Sequence, residues 1–150
     1  MMKKDDFYFM RQALKEAEQA RKKNEVPVGA VIVSGGNILS RAHNQCVSLN
    51  DPTAHAEILA IREACQVKGN ERLNDCDLYV TLEPCPMCAG AAVLSRLKRL
   101  VYGADDPKGG GIRSIMEFPF NKTNHTPEIK RGFLSEECGK ILKDFFRSKR

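Results

Sequence analysis

Two short stretches thirty residues apart, His55-Ala56-Glu57 and Pro84-Cys85-Pro86-Met87-Cys88, must meet at one point if this chain is to use them together. Two thiols at Cys-x-x-Cys spacing and one imidazole suit a tetrahedral zinc whose fourth position is left to water. A carboxylate beside that water is placed to shuttle its protons. The spacing then constrains the fold. His55 and Glu57 are two residues apart, about 200° around a helix of 3.6 residues per turn, so they share no lateral face. They serve one ion only if it lies off a helix tip, and Pro52-Thr53 just before them allows a helix to start there. Pro86 suits a first helical position, where its missing N–H costs nothing. Cys85 then falls at the N-cap and Cys88 at N3, so both sulfurs converge on the start of a second helix. The positive helix end favours the thiolate, the form that binds metal. Two helix N-termini aimed at one ion is the arrangement these residues predict.

The rest of the chain supplies the frame. Phe7, Met10, Leu14 and Ala17 repeat at helical spacing, which predicts an amphipathic helix from Asp5 to Lys23. Val26 to Val33 is an apolar, β-branched run and reads as a buried strand that pairs regularly only after Pro27. Ser34-Gly35-Gly36-Asn37 is a turn, and Ile38 to Asn44 returns as the hairpin partner. A loop over 45–53 leads into a helix from Ala54 to Lys68, apolar nearly all round except at Arg62, Glu63 and Gln66. Strands are expected at Asp77–Leu82 and Arg99–Ala104, with a helix from Met87 to Ser95 between them. Asp105 to Gly111 is a polar, glycine-rich loop, and 112–127 show no readable period. Glu128 to Phe133 fits an edge strand. A last helix opens at Ser135 with the stripe Cys138, Ile141, Leu142, Phe145 and Phe146. This order predicts an α/β fold, a sheet of mixed direction covered by helices. Without a repeat or a linker, residues 1–150 are expected to form a single domain.

Composition narrows the class. A hydrophobic share of 42% and a charged share of 29% are ordinary for a soluble globular protein. No run approaches the roughly 18 apolar residues of a membrane span. The start, Met1-Met2-Lys3-Lys4-Asp5-Asp6, lacks the apolar core of a secretion signal, so a cytoplasmic location is expected. In a reducing compartment the six cysteines are not expected to pair. Cys46, Cys65, Cys76 and Cys138 are read as small buried apolar side chains. Net charge is +5, and Gly139–Arg150 hold Lys140, Lys143, Arg147, Lys149 and Arg150 against Asp144 alone. A polyanionic partner and a solvated helix end favoured by the helix dipole both account for that.

Other readings of the two motifs stay open on spacing alone. Cys-x-x-Cys also fits a redox pair. A closed structural zinc would need a fourth ligand such as Cys76 or His43, and His55 alone could be a core histidine. Taken together, however, His-x-Glu followed by Pro-Cys-x-x-Cys has the form of the zinc deaminase signature. The chain resembles the bacterial tRNA adenosine deaminases of that superfamily. The likeness runs through Val26–Val31, Ala42–Asn44, Ala54–Glu57, Leu78–Ala91, Val101–Ala104 and Phe145–Arg147.

That resemblance implies a three-layer α/β/α, cytidine-deaminase-like fold with a mixed five-stranded sheet. It implies one zinc per subunit on His55, Cys85 and Cys88, with Glu57 as the catalytic proton carrier. The implied reaction is hydrolytic deamination of the wobble adenosine of a tRNA anticodon stem-loop to inosine. A homodimer is implied too, for which the apolar segment 87–95 is the available surface. On the substrate side, Asn44 matches a residue that hydrogen-bonds the flipped nucleotide, and Val28 and Ala54 resemble pocket walls. Asp106 matches an acid near the RNA backbone, and Asn124 and His125 resemble a pair that meets neighbouring bases. Phe145, Phe146 and Arg147 resemble a terminal helix lying beside the RNA, although both phenylalanines also sit on the apolar stripe. Gly109-Gly110-Gly111-Ile112-Arg113-Ser114 departs from the family pattern at Ile112 and Arg113. Two alternatives remain: a deaminase of free guanine, cytosine or a nucleoside, and an RNA-binding module with a structural zinc. Glu57 speaks against the latter, which has no use for that carboxylate.

Overall fold

The β-branched run after Pro27 becomes β1 (Gly29–Ser34) in a computed structural model that describes residues 4–149. Met1, Met2 and Lys3 of the polar start and Arg150 of the basic end lie outside the described residues. Before β1 comes α1 (Asp6–Lys22), opened by Asp5, whose side chain accepts the Tyr8 N–H. After it come β2 (Asn37–His43), α2 (Ala56–Lys68), β3 (Cys76–Leu82), α3 (Pro86–Leu94) and β4 (Arg99–Ala104). A 3₁₀ turn (Phe120–Lys122), β5 (Glu128–Arg131) and α4 (Ser135–Ser148) complete the chain.

The strands lie in the order β2-β1-β3-β4-β5. β1 runs antiparallel to β2 and β3, while β3, β4 and β5 run parallel. The mixed direction expected from the alternation of elements is thus observed. Strand alternation sends side chains to two layers. Ala30, Ile32, Leu78, Val80, Leu100 and Tyr102 face a core shared with Ala56, Ala60 and Ala64 of α2 and Ala92 of α3. Val31, Val33, Tyr79 and Val101 face the opposite side, against Phe9, Met10 and Ala13 of α1 and Cys138 of α4. The molecule is a three-layer α/β/α sandwich.

Close helix approach has a local cause at Gly29. A Cβ there would lie 2.0 Å from the Ala13 carbonyl oxygen and 2.4 Å from the Ala17 nitrogen, so α1 rests directly on the strand backbone. Val26–Val28 stay outside the ladder, as Pro27 requires. Instead Val28 donates its N–H to the Val26 carbonyl at 2.8 Å and accepts the Asn44 N–H at 3.1 Å. The exposed stripe of α2 falls at Arg62, Glu63 and Gln66 as expected, extended by an exposed Val67. The 112–127 stretch, which shows no period in the sequence, is irregular apart from the 3₁₀ turn, with the Phe118 and Phe120 rings 4.6 Å apart. One expectation needs correction. All six cysteines are free, but only Cys76 and Cys138 of the four scattered ones are buried; Cys46 and Cys65 are half-buried. Cys46 sits on a loop, and Cys65, on α2 beside its exposed stripe, packs against the edge of the core without being enclosed by it.

Candidate metal centre

β3 and β4 are parallel neighbours, and the chain leaves β3 through Glu83-Pro84 straight into α3. Cys85 is the N-cap of α3 with extended backbone, Pro86 occupies the first turn, and Cys88 follows within it. Across the layer His55, also extended, is the N-cap of α2, and neither cap makes a side-chain capping bond. Both helix tips therefore keep their cap side chains free. The His55 Nδ1 lies 3.6 Å from each of the Cys85 and Cys88 sulfurs. The three donor atoms all lie within 4.8 Å of one another. Convergence of one imidazole and two sulfurs at this spacing is a fit for a single zinc-sized ion. The fourth ligands considered for a closed structural site are elsewhere. His43 is held between Glu16, 3.1 Å from Nδ1, and Lys23, 3.2 Å from Nε2. Cys76 is at the start of β3, beside Asp75 and at the other end of the strand.

The charge state agrees with ligation. The Cys85 thiol is held down to about 4, first by sharing a proton with Cys88 and then, against the opposing effect of burial, by His55. The Cys88 thiol is pushed up by that same sharing with Cys85 and by burial. His55 is raised, first by its bond to Cys85. A cation bound here would take the place of the shared proton.

Glu57 is only 4% exposed, and burial pushes its carboxyl up to about 7, against the opposing pull of main-chain N–H groups and His55. It is the second residue of α2, two beyond His55, so both flank the same helix tip. A carboxyl poised near neutrality within the pocket is suited to accept and return protons.

A pocket of about 240 Å³ opens onto this centre, and it brings Val28, Asn44, His55, Glu57, Cys85 and Asp106 together. The Ala56 N–H donates to Asn44 Oδ1 at 2.8 Å. Because a main-chain N–H only donates, the Asn44 amide nitrogen is left to donate elsewhere. Ala54 lies just behind, fully buried, with its carbonyl accepting the Gln45 N–H and its N–H donated to Asp51. It contributes shape through its neighbours, not a lining surface. Asp106 Oδ1 accepts the N–H groups of Lys108 and Gly109.

A second cavity of about 550 Å³ adjoins the first, sharing Val26, Leu82 and Asp106 with it and bounded by Lys108, Lys143, Phe146 and Arg147. Phe146, 49% exposed, is the ring that faces it; Phe145 is buried in the core with Lys149 over its ring. Asn124 is exposed, and the His125 imidazole is engaged by the Leu97 carbonyl ahead of β4. That places both at the opposite end of β4 from the pocket. Reasoning from the sequence missed Glu83, whose carboxylate underlies the pocket wall, and an acid two residues before a cysteine offers no signal for that role.

The family model of the MafB19-like deaminases matches residues 4–150. A tRNA-specific adenosine deaminase of Bacillus subtilis (strain 168) is 51% identical over 150 residues, covering 99% of this chain and 92% of that protein. A solved structure from work on A-to-I editing by tRNA wobble-position deaminases superposes with a TM-score of 0.87 at 49% identity, covering 90% of this chain and 99% of that one. A guanine deaminase structure from Bacillus subtilis superposes with a TM-score of 0.62 at 44% identity, over 65% of this chain and 62% of that one.

Proposed function

The chain belongs to the MafB19-like deaminases, and within them to the tRNA-specific adenosine deaminases, and from that membership we propose that it hydrolytically deaminates the wobble adenosine of a tRNA anticodon stem-loop to inosine, releasing ammonia. The observation that carries the reading is the placement of the Glu57 carboxyl and the Asn44 amide in one pocket with the His55, Cys85 and Cys88 donors. These three residues would hold one zinc per subunit. A zinc there supplies the Lewis acidity that makes water a nucleophile at neutral pH. Glu57 takes the proton that water sheds, then returns protons to ring N1 and to the departing amine at C6. Asn44, steadied by the α2 tip, donates its amide N–H to the nucleotide, and Val28 packs against the base. The wall around Asp106 positions the RNA strand.

Flanking RNA is read as lying over the larger cavity, with Phe146 offering a face to a base and Lys108, Lys143 and Arg147 offering charge to phosphates. Phe145 then supports Phe146 from the core, its ring centroid 5.3 Å away. Asn124 and His125 would meet RNA only from a second copy or from the far side of the sheet. A homodimer is part of the proposal: Met87 and Leu94 of α3 leave an exposed apolar face, Leu94 at 79%. Residues 1–150 act as one catalytic domain in the cytoplasm, where tRNA is modified; no described helix is long and apolar enough to cross a membrane.

A free-base deaminase would share the centre, and the guanine deaminase likeness keeps that reading in view. The cationic rim of the second cavity favours a polyanion instead. The test offers purified protein an anticodon stem-loop with a wobble adenosine, and separately free guanine and cytidine. Inosine and ammonia should appear on the stem-loop; deamination of free bases alone would sink the tRNA reading. Glu57→Ala should lower the rate by about 10²–10⁴-fold while zinc stays bound, whereas His55→Ala and Cys85→Ala should lose both.

A further inference from the structure

Glu83 sits between the last residue of β3 and the candidate metal-ligand segment, 2% exposed and paired with no cation among the described residues. Its charge is met by main chain. One oxygen, Oε1, accepts the Asp106 N–H at 3.0 Å. The other, Oε2, accepts the N–H groups of Ile112, Arg113 and Ser114 at 3.1, 2.8 and 3.0 Å. The Ser114 hydroxyl donates to Oε1 as well. Five donors occupy the roughly four lone-pair sites of a carboxylate, so Glu83 has no capacity left to carry protons for the reaction.

The loop is shaped to reach that carboxylate. A Cβ on Gly110 would lie 2.3 Å from the Glu83 carboxyl carbon and 2.4 and 2.5 Å from its two oxygens. Gly111 donates its N–H to the Pro84 carbonyl at 2.7 Å, and a Cβ on it would lie 2.5 Å from the Pro86 nitrogen. Residues 106–114 are thereby wrapped onto the strand-to-helix turn that presents Cys85. The same segment supplies Asp106 and Gly109 to the lining of the pocket that also holds Asn44 and Glu57. Every main-chain donor is indifferent to the side chain it carries, which is why Ile112 and Arg113 fit where the family pattern has small residues.

We propose that Glu83 is a positioning residue for the substrate side of the pocket: its buried carboxylate gathers the N–H groups of residues 106–114 and so sets where the Asp106–Gly109 wall stands relative to Glu57. The choice of the anticodon stem-loop as the substrate rests on the function proposed above; the role of Glu83 does not.

The experiment uses the full-length, zinc-loaded protein and its Glu83→Gln variant, whose amide keeps the shape but turns one acceptor into a donor facing N–H groups. Hydrogen exchange should speed up at the amides of Asp106, Ile112, Arg113 and Ser114 by about tenfold or more, the scale of a lost bond to a charged group. Zinc content and protection in α2 and α3 should hold. With the stem-loop, the loss should fall mainly in KM, by about tenfold, with a smaller change in kcat. Glu83→Asp, charged but shorter, should fall between the two. Gly110→Ala, which leaves the charge intact and pushes the loop off it, should raise KM in the same direction, and it decides the matter if Glu83→Gln does not fold. Unchanged exchange in the loop, loss of zinc in Glu83→Gln, or a loss confined to kcat would each overturn the proposal. Wild-type protein inactive on the stem-loop would refute the substrate assignment, and the exchange data would still judge Glu83.

Discussion

Glu25, at the turn between α1 and β1, does for the loop after β2 what buried acids rarely do without a cation. It is 2% exposed, and its carboxylate accepts the Val47 N–H at 3.1 Å and both the N–H and the hydroxyl of Ser48 at 2.6 Å. Burial alone would raise its pKa, but these bonds outweigh burial and hold it below the usual glutamate value. A depressed folded pKa stabilises the protein above the unfolded value, near 4.5, and the contribution disappears as pH falls through the lower folded value. Glu25→Gln should cost about 1.5–3 kcal/mol near pH 7, and the gap to wild type should close as pH falls below about 4.5. Denaturant titrations across pH 3–7 test this; a gap that is constant with pH would remove the charge from the explanation. Single residues also show what sequence can and cannot disclose. The grouping of His55, Cys85 and Cys88, with Glu57 in the same pocket, was legible because side-chain type and spacing together limit the geometry. Glu25 and Glu83 were not, because their partners are main-chain N–H groups, 22–31 residues away, that any residue supplies.

Elements were legible where hydrophobic period and pairing agree. The ranges of α1, β2, β3 and β4 came within a residue or two: one buried stripe decides α1, and β3 and β4 are short apolar runs buried on both faces. α2 starts at Ala56, not Ala54, because His55 is its cap and Asn44, twelve residues earlier, takes the first N–H. That cause is tertiary, so no local pattern carries it. The 112–127 segment had no period because its anchors are a distant carboxylate and the Phe118–Phe120 pair, not a shared face. The seat of α1 on β1 is an element-scale contact with a sharp test. Gly29→Ala places a methyl where the Ala13 carbonyl already is, and a helix backbone yields less readily than a side chain. Destabilisation by at least about 1–3 kcal/mol is expected. Thermal melts should show it, with the per-molecule rate of the folded fraction little changed. A melt equal to wild type would mean that α1 slides freely on the sheet.

Across the whole molecule, the parallel strands β3 and β4 end on the same edge of the sheet, and the α2 and α3 tips meet there. Ligands in open α/β sheets gather at that edge. An ion on the three candidate donors would tie the α2 segment to the α3 segment, and, held by the folded state alone, would add to its stability. Removing zinc with a chelator should lower the melting temperature and restoring it should raise it again, by about 2.7 kcal/mol at a hundredfold excess over Kd. In Cys85→Ala the two melts should coincide; a persistent shift would place the ion elsewhere. The separation of those donors along the chain also has a consequence in time. Synthesis proceeds from the amino terminus at about 5–20 residues per second, so the imidazole of His55 is made seconds before the sulfurs it will join. Through that interval the nascent protein owns its hairpin and one ligand but no site. Any ion taken up on these three donors would therefore arrive late in the making of each molecule, scheduled by the order in which the ribosome delivers the two helix tips.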